Sequence, residues 1–280
     1  MSGHSAGSMP SRRLVRSSYA NIGQSTRMKP PPFEYHAPDS IAHTLELLAT
    51  LEDAKVLAGG QSLIPLLNFR LARPAHLVDV NRLPGLDGIY ERDGGVAIGA
   101  TVRQSIAERD PLVGERCPLL PLALHFVAHH VIRNRGTICG SLAHADPAAE
   151  LCAVLLVLGG HVVARSTRGE RVIAGDELFR GPFETALAPD ELITEAWLPA
   201  HDEGDVALLE ESRRHGDFAM AGVARHRDRV ALFGVAGTPV LADPEDPTRG
   251  LEPSGDLESS PDFKLHLVRV LVARAYGRTL

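Results

Sequence analysis

Ala58-Gly59-Gly60-Gln61-Ser62 follows a short apolar run, and Thr137-Ile138-Cys139-Gly140-Ser141 comes much later in the chain. Each stretch places small residues and a hydroxyl directly before a segment with helical character. Small residues let backbone N–H groups approach an anion closely, and the start of a helix adds a favourable field. One such loop is typical of an ordinary tight turn. The two together predict a pyrophosphate that is bound from two sides.

Periodicity around these loops indicates short strands that alternate with helices. Asp39 or Ser40 is placed to cap the first helix. Helices are predicted at residues 41–49, at 118–130, from after Pro147 to Leu155, and at 263–276. Strands are predicted at residues 55–57, 76–80, 95–100, 161–165, 171–173 and 192–198, with a hairpin at 218–225 and 229–236. This alternation predicts an α+β fold.

A polar and acidic stretch at His201–Asp205 is the predicted domain boundary. The first 27 residues are rich in Ser, Gly and Arg and lack the apolar region of a secretory signal, so we expect a disordered tail at 1–27. Residues 28–203 then form the main domain. Residues 204–280 form a smaller α+β domain with a β-sheet and helices.

Composition narrows the class of protein. The chain has 280 residues, 44% of them hydrophobic, and a formal net charge of −6, which argues against nucleic acid as the main partner. No apolar run reaches the length of a membrane span. Three cysteines without a C-x-x-C pair argue against an iron–sulfur or cysteine-rich zinc site within this chain, and they fit a reducing cytoplasm.

Few residues have the pattern of a catalytic or metal site. No serine lies in a G-x-S-x-G elbow. His125 and His129 form an i, i+4 pair beside His130, but no third ligand is evident, so packing is the favoured interpretation. We predict no catalytic residue and no metal site. Glu150, which follows the second loop, is placed to accept hydrogen bonds from ribose hydroxyls, as acidic residues do in dinucleotide sites.

Three stretches together resemble one family. They are Ala58-Gly59-Gly60-Gln61-Ser62-Leu63-Ile64-Pro65, the run from Arg135-Gly136-Thr137 through His144-Ala145-Asp146-Pro147 to Glu150, and Arg214-His215-Gly216-Asp217-Phe218-Ala219. The family is the FAD-binding medium subunit of the molybdenum hydroxylases, which include xanthine dehydrogenase and aerobic carbon monoxide dehydrogenase. The resemblance covers the chain from about Met28 to its C-terminus.

The resemblance implies a two-lobed FAD-binding domain of the PCMH type, like that of vanillyl-alcohol oxidase, with lobes at about 28–84 and 85–203. It implies that FAD lies between the lobes. The residues implied in cofactor binding are Ala58, Gly59, Gly60, Gln61, Ser62 and Leu63 from the first lobe, and Thr137, Ile138, Cys139, Gly140, Ser141, Glu150, Leu192 and Ile193 from the second. Glu150 matches a position at the adenosine ribose, and Leu192 or Ile193 matches an apolar position near the flavin or adenine.

Cys139 departs from the pattern, because the family usually has a second glycine there. A side chain at this position is expected either to crowd a phosphate or to be tolerated with negative φ. Toleration is the favoured interpretation, ahead of a redox thiol beside the cofactor.

The resemblance also implies partners. A large subunit with a molybdopterin centre oxidises the substrate, a small subunit with [2Fe–2S] clusters carries the electrons, and FAD passes them to an external acceptor. A dimer of such heterotrimers is expected. Two alternatives remain open: a self-sufficient FAD-dependent oxidase or reductase, and a non-redox nucleotide-binding assembly protein that has lost FAD through the change at Cys139.

Overall fold

The structure is a computed structural model that describes residues 29–257 and 259–278. The tail predicted at residues 1–27 lies outside the described residues. The remainder has mixed helices and sheets, so the predicted α+β class is confirmed. No helix in these two ranges is both long and apolar enough to cross a membrane.

The N-terminal part is a three-stranded parallel sheet in the order β1-β3-β2. Parallel neighbours need crossover connections, and helices supply them here. The elements are β1 (Glu34–His36), α1 (Ile41–Thr50), β2 (Ala54–Leu57), α2 (Leu63–Asn68) and β3 (His76–Asp79). Ser40 caps α1, as predicted, by accepting the N–H of His43 at 3.2 Å. The first glycine loop therefore lies between β2 and α2.

The second sheet is antiparallel, with the strand order β4-β5-β10-β6-β7. Its strands are β4 (Ile89–Arg92), β5 (Gly95–Gly99), β6 (His161–Ser166), β7 (Gly169–Ala174) and β10 (Leu192–Pro199). Six helices lie between β5 and β6: α3 (Gln104–Ala107), α4 (Pro111–Arg116), α5 (Leu119–Phe126), α6 (His130–Arg133), α7 (Ile138–His144) and α8 (Glu150–Leu158). A short helix α9 (Gly175–Leu178) and the pair β8 (Phe179–Gly181) and β9 (Glu184–Thr185) precede β10. The second glycine loop thus begins α7.

The C-terminal part is an antiparallel sheet, β11-β12-β13-β14, with one long helix. Its elements are β11 (Val206–Glu211), β12 (Ala221–His226), β13 (Arg229–Phe233), β14 (Val240–Ala242) and α10 (Pro261–Ala275). Successive side chains of β13 point to opposite faces. Ala231 and Phe233 join the main core with α8, whereas Val230 and Leu232 join a second core with α10. The sheet is therefore packed between two helices.

Two helix predictions need correction. The helix predicted over 118–130 is interrupted after Phe126, because Ala128 has a φ of 45°. The helix predicted directly after Pro147 begins only at Glu150, because Asp146 closes a turn by accepting the N–H of Ala148 at 2.9 Å. The domain division at 203–204 stays a prediction.

Candidate functional site

The two glycine loops lie against each other. A Cβ built on Gly59 would be 2.5 Å from the carbonyl oxygen of Arg135 and 2.8 Å from Cα of Gly136. Both contacts are with backbone, which cannot be displaced cheaply. The absence of a side chain at Gly59 therefore allows the first loop to contact the backbone just before the second loop. Two adjoining loops are what a ligand bound from two sides requires.

In the first loop the backbone carbonyl groups are hydrogen-bonded within the described part of the protein, whereas the backbone N–H groups are not. Its carbonyl oxygens accept hydrogen bonds within the protein: Ala58 from Asn81 Nδ2 at 2.8 Å, Gly59 from Gln61 Nε2 at 3.2 Å, and Gly60 from the N–H of Ile64 at 3.0 Å. No described residue accepts a hydrogen bond from the backbone N–H groups of residues 59–63. Unpaired N–H groups in a turn suit an anion, which supplies the missing acceptors.

The second loop is ordered by a helix cap. Thr137 Oγ1 accepts the N–H of Gly140 at 3.0 Å at the start of α7. A hydroxyl that accepts this bond still has its own proton to donate. A Cβ built on Gly140 would be 2.5 Å from Thr137 Oγ1 and 3.9 Å from Cβ of Ala58. The absence of a side chain at Gly140 thus permits the cap, whereas the separation from Ala58 is an ordinary van der Waals distance.

Two polar side chains join the loops. Arg103 donates from Nη1 to the carbonyl oxygen of Arg135 at 2.8 Å and from Nη2 to Asn81 Oδ1 at 2.7 Å. Asn81 in turn donates to the carbonyl oxygen of Ala58. Hydrogen bonds therefore link Arg135, just before the second loop, through Arg103 and Asn81 to Ala58 in the first loop. The sequence predicts neither Arg103 nor Asn81 as a site residue, because their spacing has no recognisable signature.

Cys139 does not crowd the loops. Its Sγ is 3.7 Å from the carbonyl oxygen of Ile98, and the side chain is buried in the main core. Burial raises the pKa of this thiol to about 12, so it stays protonated and unreactive at neutral pH. The residue has negative φ within α7, so the departure from glycine is accommodated.

The other three predicted residues, Glu150, Leu192 and Ile193, are all buried. Glu150 is the first residue of α8 and is buried. Burial, reinforced by the negative charge of Asp146, raises the pKa of Glu150 to about 7. Leu192 and Ile193 begin β10, which packs against α7, and both are buried in the main core. Their contacts with a cofactor stay predictions.

The third stretch, at residues 214–219, packs against the helical segment before the second loop. The ring of His215 lies near those of His125 and His129, tilted by 45° and 49° to them, with ring centroids 5.7 and 6.4 Å away. A Cβ built on Gly216, whose φ is 87°, would be 2.7 Å from Cε1 of His129. The i, i+4 histidines are thus packed against a third imidazole ring.

The adjoining loops, with unpaired N–H groups on the first of them, have the arrangement that a dinucleotide-binding domain requires. A family model described as the FAD binding domain in molybdopterin dehydrogenase matches residues 31–201. The chain belongs to this family of FAD-binding domains. The predicted family and cofactor are confirmed.

Relatives extend the match over most of the chain. The 6-hydroxypseudooxynicotine dehydrogenase complex subunit alpha of Paenarthrobacter nicotinovorans is 39% identical over 90% of this chain and 96% of its own length. The carbon monoxide dehydrogenase medium chain of Hydrogenophaga pseudoflava is 35% identical over 89% and 97%.

Solved structures agree. Carbon monoxide dehydrogenase from Hydrogenophaga pseudoflava matches with a TM-score of 0.85 at 35% identity, over 89% of this chain and 97% of that one. Quinoline 2-oxidoreductase from Pseudomonas putida 86 matches with a TM-score of 0.84 at 33% identity, over 88% and 96%. The chain is therefore an FAD-binding medium subunit of the molybdenum hydroxylase type, and thus an oxidoreductase component.

Proposed function

We propose that the pyrophosphate of FAD is bound by residues 58–63 from one side and by residues 137–141 from the other. The close approach of Gly59 to the backbone of Arg135 and Gly136 supports this proposal, because loops that lie this near each other can share one diphosphate. The unpaired N–H groups of the first loop and the hydroxyl proton of Thr137 supply hydrogen bonds to it.

Three further residues are assigned to the remainder of FAD. Glu150 accepts hydrogen bonds from the adenosine ribose in its ionised form, and Leu192 and Ile193 supply apolar contact to a ring system. When bound, FAD supplies the redox chemistry. The protein's residues position it and shield it from water.

We also propose that this FAD accepts electrons from [2Fe–2S] clusters of a small partner subunit and passes them to an external acceptor. The relatives support this proposal, since they are named as subunits or medium chains of dehydrogenases. The cysteines support it as well. Cys117, Cys139 and Cys152 are all buried, and burial raises the pKa of each thiol, so they are unsuited to holding a cluster.

The same reasoning extends to the assembly. A molybdopterin-containing large subunit oxidises the substrate, and two heterotrimers associate as a dimer. The cytoplasm is the proposed location, because three free thiols without a disulfide suit a reducing compartment.

The test is purification of the complex through a tag on this chain, followed by analysis of flavin, iron and molybdenum. FAD is expected with this chain, and iron and molybdenum with two co-purifying subunits. The clusters are then reduced with dithionite and mixed with NAD, a quinone or oxygen. Wild-type complex is expected to reoxidise its clusters with one of these acceptors, whereas complex with Gly59→Ala in this chain should not.

Two outcomes would favour the alternatives. Oxidation of a hydroxylase substrate by the isolated chain would indicate a self-sufficient oxidase. A complex without flavin absorbance would indicate a non-redox protein, although the position of Cys139 removes the structural reason for expecting lost FAD.

A further inference from the structure

Two histidines and a glutamate converge at the edge of the N-terminal sheet, away from the glycine loops in sequence. His36 Nε2 lies 3.1 Å from His76 Nδ1. Glu34 Oε2 lies 3.5 Å from His76 Nδ1 and 4.0 Å from His36 Nε2. Among the residues that the structure describes, these three form the group of His, Cys, Asp and Glu atoms close enough to hold one metal ion.

The sheet itself creates this arrangement. β1 and β3 pair in parallel with Glu34 opposite His76. Residues two apart on a strand share a face, so Glu34 and His36 point to the same side. Tyr35 points to the other side, where its hydroxyl donates to Asp79. Backbone pairing therefore fixes which face the three ligand groups share.

The separations fit a transition metal. The three ligand atoms form a triangle with sides of 3.1, 3.5 and 4.0 Å, so a point equidistant from them in their plane is about 2.1 Å from each. Zinc–nitrogen and zinc–oxygen bonds have the same length, about 2.0–2.2 Å. An ion near that point needs only small side-chain movements. Calcium and magnesium prefer sets of oxygen ligands, whereas two imidazoles and one carboxylate are typical of zinc.

We propose that Glu34, His36 and His76 form a site for one Zn²⁺ ion, with water completing a tetrahedral coordination shell. The imidazoles of His36 and His76 are 24% and 19% exposed and Glu34 is 75% exposed, so the site is open to solvent. The ion joins β1, an edge strand of three residues, to β3. It stabilises the N-terminal edge of the domain independently of FAD.

The alternative is a direct hydrogen bond between the two imidazole rings, with no metal bound. The full-length chain without a histidine tag, stripped with EDTA and dialysed, is titrated with Zn²⁺ against a chromophoric chelator. One ion per chain is expected with micromolar or tighter affinity. His36→Gln, His76→Gln and Glu34→Gln should each weaken binding at least tenfold.

His43→Gln is the matched control, because His43 is a half-exposed histidine of the neighbouring α1 that pairs with Asp39. Its zinc affinity should equal that of the wild type. Equal binding by wild type and a His36→Gln/His76→Gln double variant would overturn the proposal, as would half-saturation above a millimolar. If a variant fails to fold, X-ray absorption at the zinc edge of the wild-type chain tests the proposal instead. The proposed site requires scattering from two imidazole ligands, and a spectrum without it would overturn the proposal.

Discussion

Arg103 and Asn81 are joined by a hydrogen bond of 2.7 Å from guanidinium to amide oxygen. Each residue also donates to a backbone carbonyl at a different loop: Arg103 to that of Arg135, two residues before the second loop, and Asn81 to that of Ala58 in the first. The pair therefore holds the spacing between the two loops. A planar guanidinium suits this task, because it donates to two acceptors from a fixed geometry.

Replacing Arg103 with lysine keeps the charge and removes the planar pair of donors. The carbonyl of Arg135 or the amide oxygen of Asn81 then loses its partner, which costs about 1–3 kcal/mol. We expect FAD affinity, measured by quenching of flavin fluorescence, to fall about tenfold or more. Arg269→Lys on the exposed face of α10 is the control. Unchanged affinity in Arg103→Lys would show that the loops keep their spacing without this pair.

Gly59→Ala tests the contact between the loops directly. The new Cβ would be 2.5 Å from a backbone oxygen, so the loops must separate. We expect the affinity for FAD to fall at least a hundredfold and the melting temperature to be lower. Gly114→Ala is the matched control: its Cβ meets nothing within 4 Å in α4, and alanine should stabilise the helix by about 0.5–1 kcal/mol. FAD binding by Gly59→Ala with wild-type affinity would exclude the two-sided site.

Much of this site is accessible from sequence. The loops predicted from small residues and hydroxyls are the loops that the structure brings together. The strands around them are found because their alternation or apolar character is local. The helix of residues 41–50 is found because Ser40 is a local capping signal.

The features that cannot be predicted from sequence are contacts between residues that are far apart in the chain. Arg103 and Asn81 are 22 positions apart in the chain and meet only through the tertiary fold, which no local spacing encodes. Glu34, His36 and His76 meet only because β1 lies parallel to β3, so the prediction of no metal site rested on neighbours in sequence. The break after Phe126 coincides with the positive φ of Ala128 and with a hydrogen bond from the Arg133 guanidinium to the carbonyl of Val127 at 3.0 Å.

Thiol labelling tests the environment of Cys139. With all three cysteines buried and the pKa of Cys139 raised to about 12, Ellman's reagent is expected to label none in the native protein and three after unfolding in urea. Cys139→Ala should retain FAD affinity within about twofold and lose about 1 kcal/mol of stability to the small cavity. Cys152→Ala, in α8, is the control. Rapid native labelling that displaces FAD would place the thiol beside the cofactor instead.

Glu150 should make FAD binding depend on pH. Its pKa is raised to about 7, and a ribose hydroxyl donates better to the ionised carboxylate, so affinity should fall as pH drops through about 7. Glu150→Gln should bind FAD about tenfold more weakly at pH 8 and show little change between pH 6 and 8. Glu177→Gln, on the exposed side of α9, is the control and should keep the wild-type profile. A wild-type affinity that is flat over this range would remove Glu150 from the ribose contact.

Glu210 should make stability depend on pH in the opposite sense from an ordinary salt-bridged carboxylate. Burial, reinforced by the charge of Glu150, raises its pKa to about 8, and its Oε2 is buried without a hydrogen-bond partner among the described residues. The folded state therefore binds this proton more tightly than the unfolded state, whose pKa is near 4.5. By linkage, the free energy of unfolding falls as pH rises from about 4.5 to about 8.

Glu210→Gln removes this loss, because the amide stays neutral throughout. The side chain is half-buried and solvent screens its charge, so we expect a gain of about 1–2 kcal/mol at pH 8.5 and almost none at pH 4.5. Urea unfolding at each pH measures the difference. Glu211→Gln, the exposed neighbour on β11, should follow the wild-type curve. A difference between Glu210→Gln and wild type that is the same at both pH values would assign the effect to packing rather than to the proton.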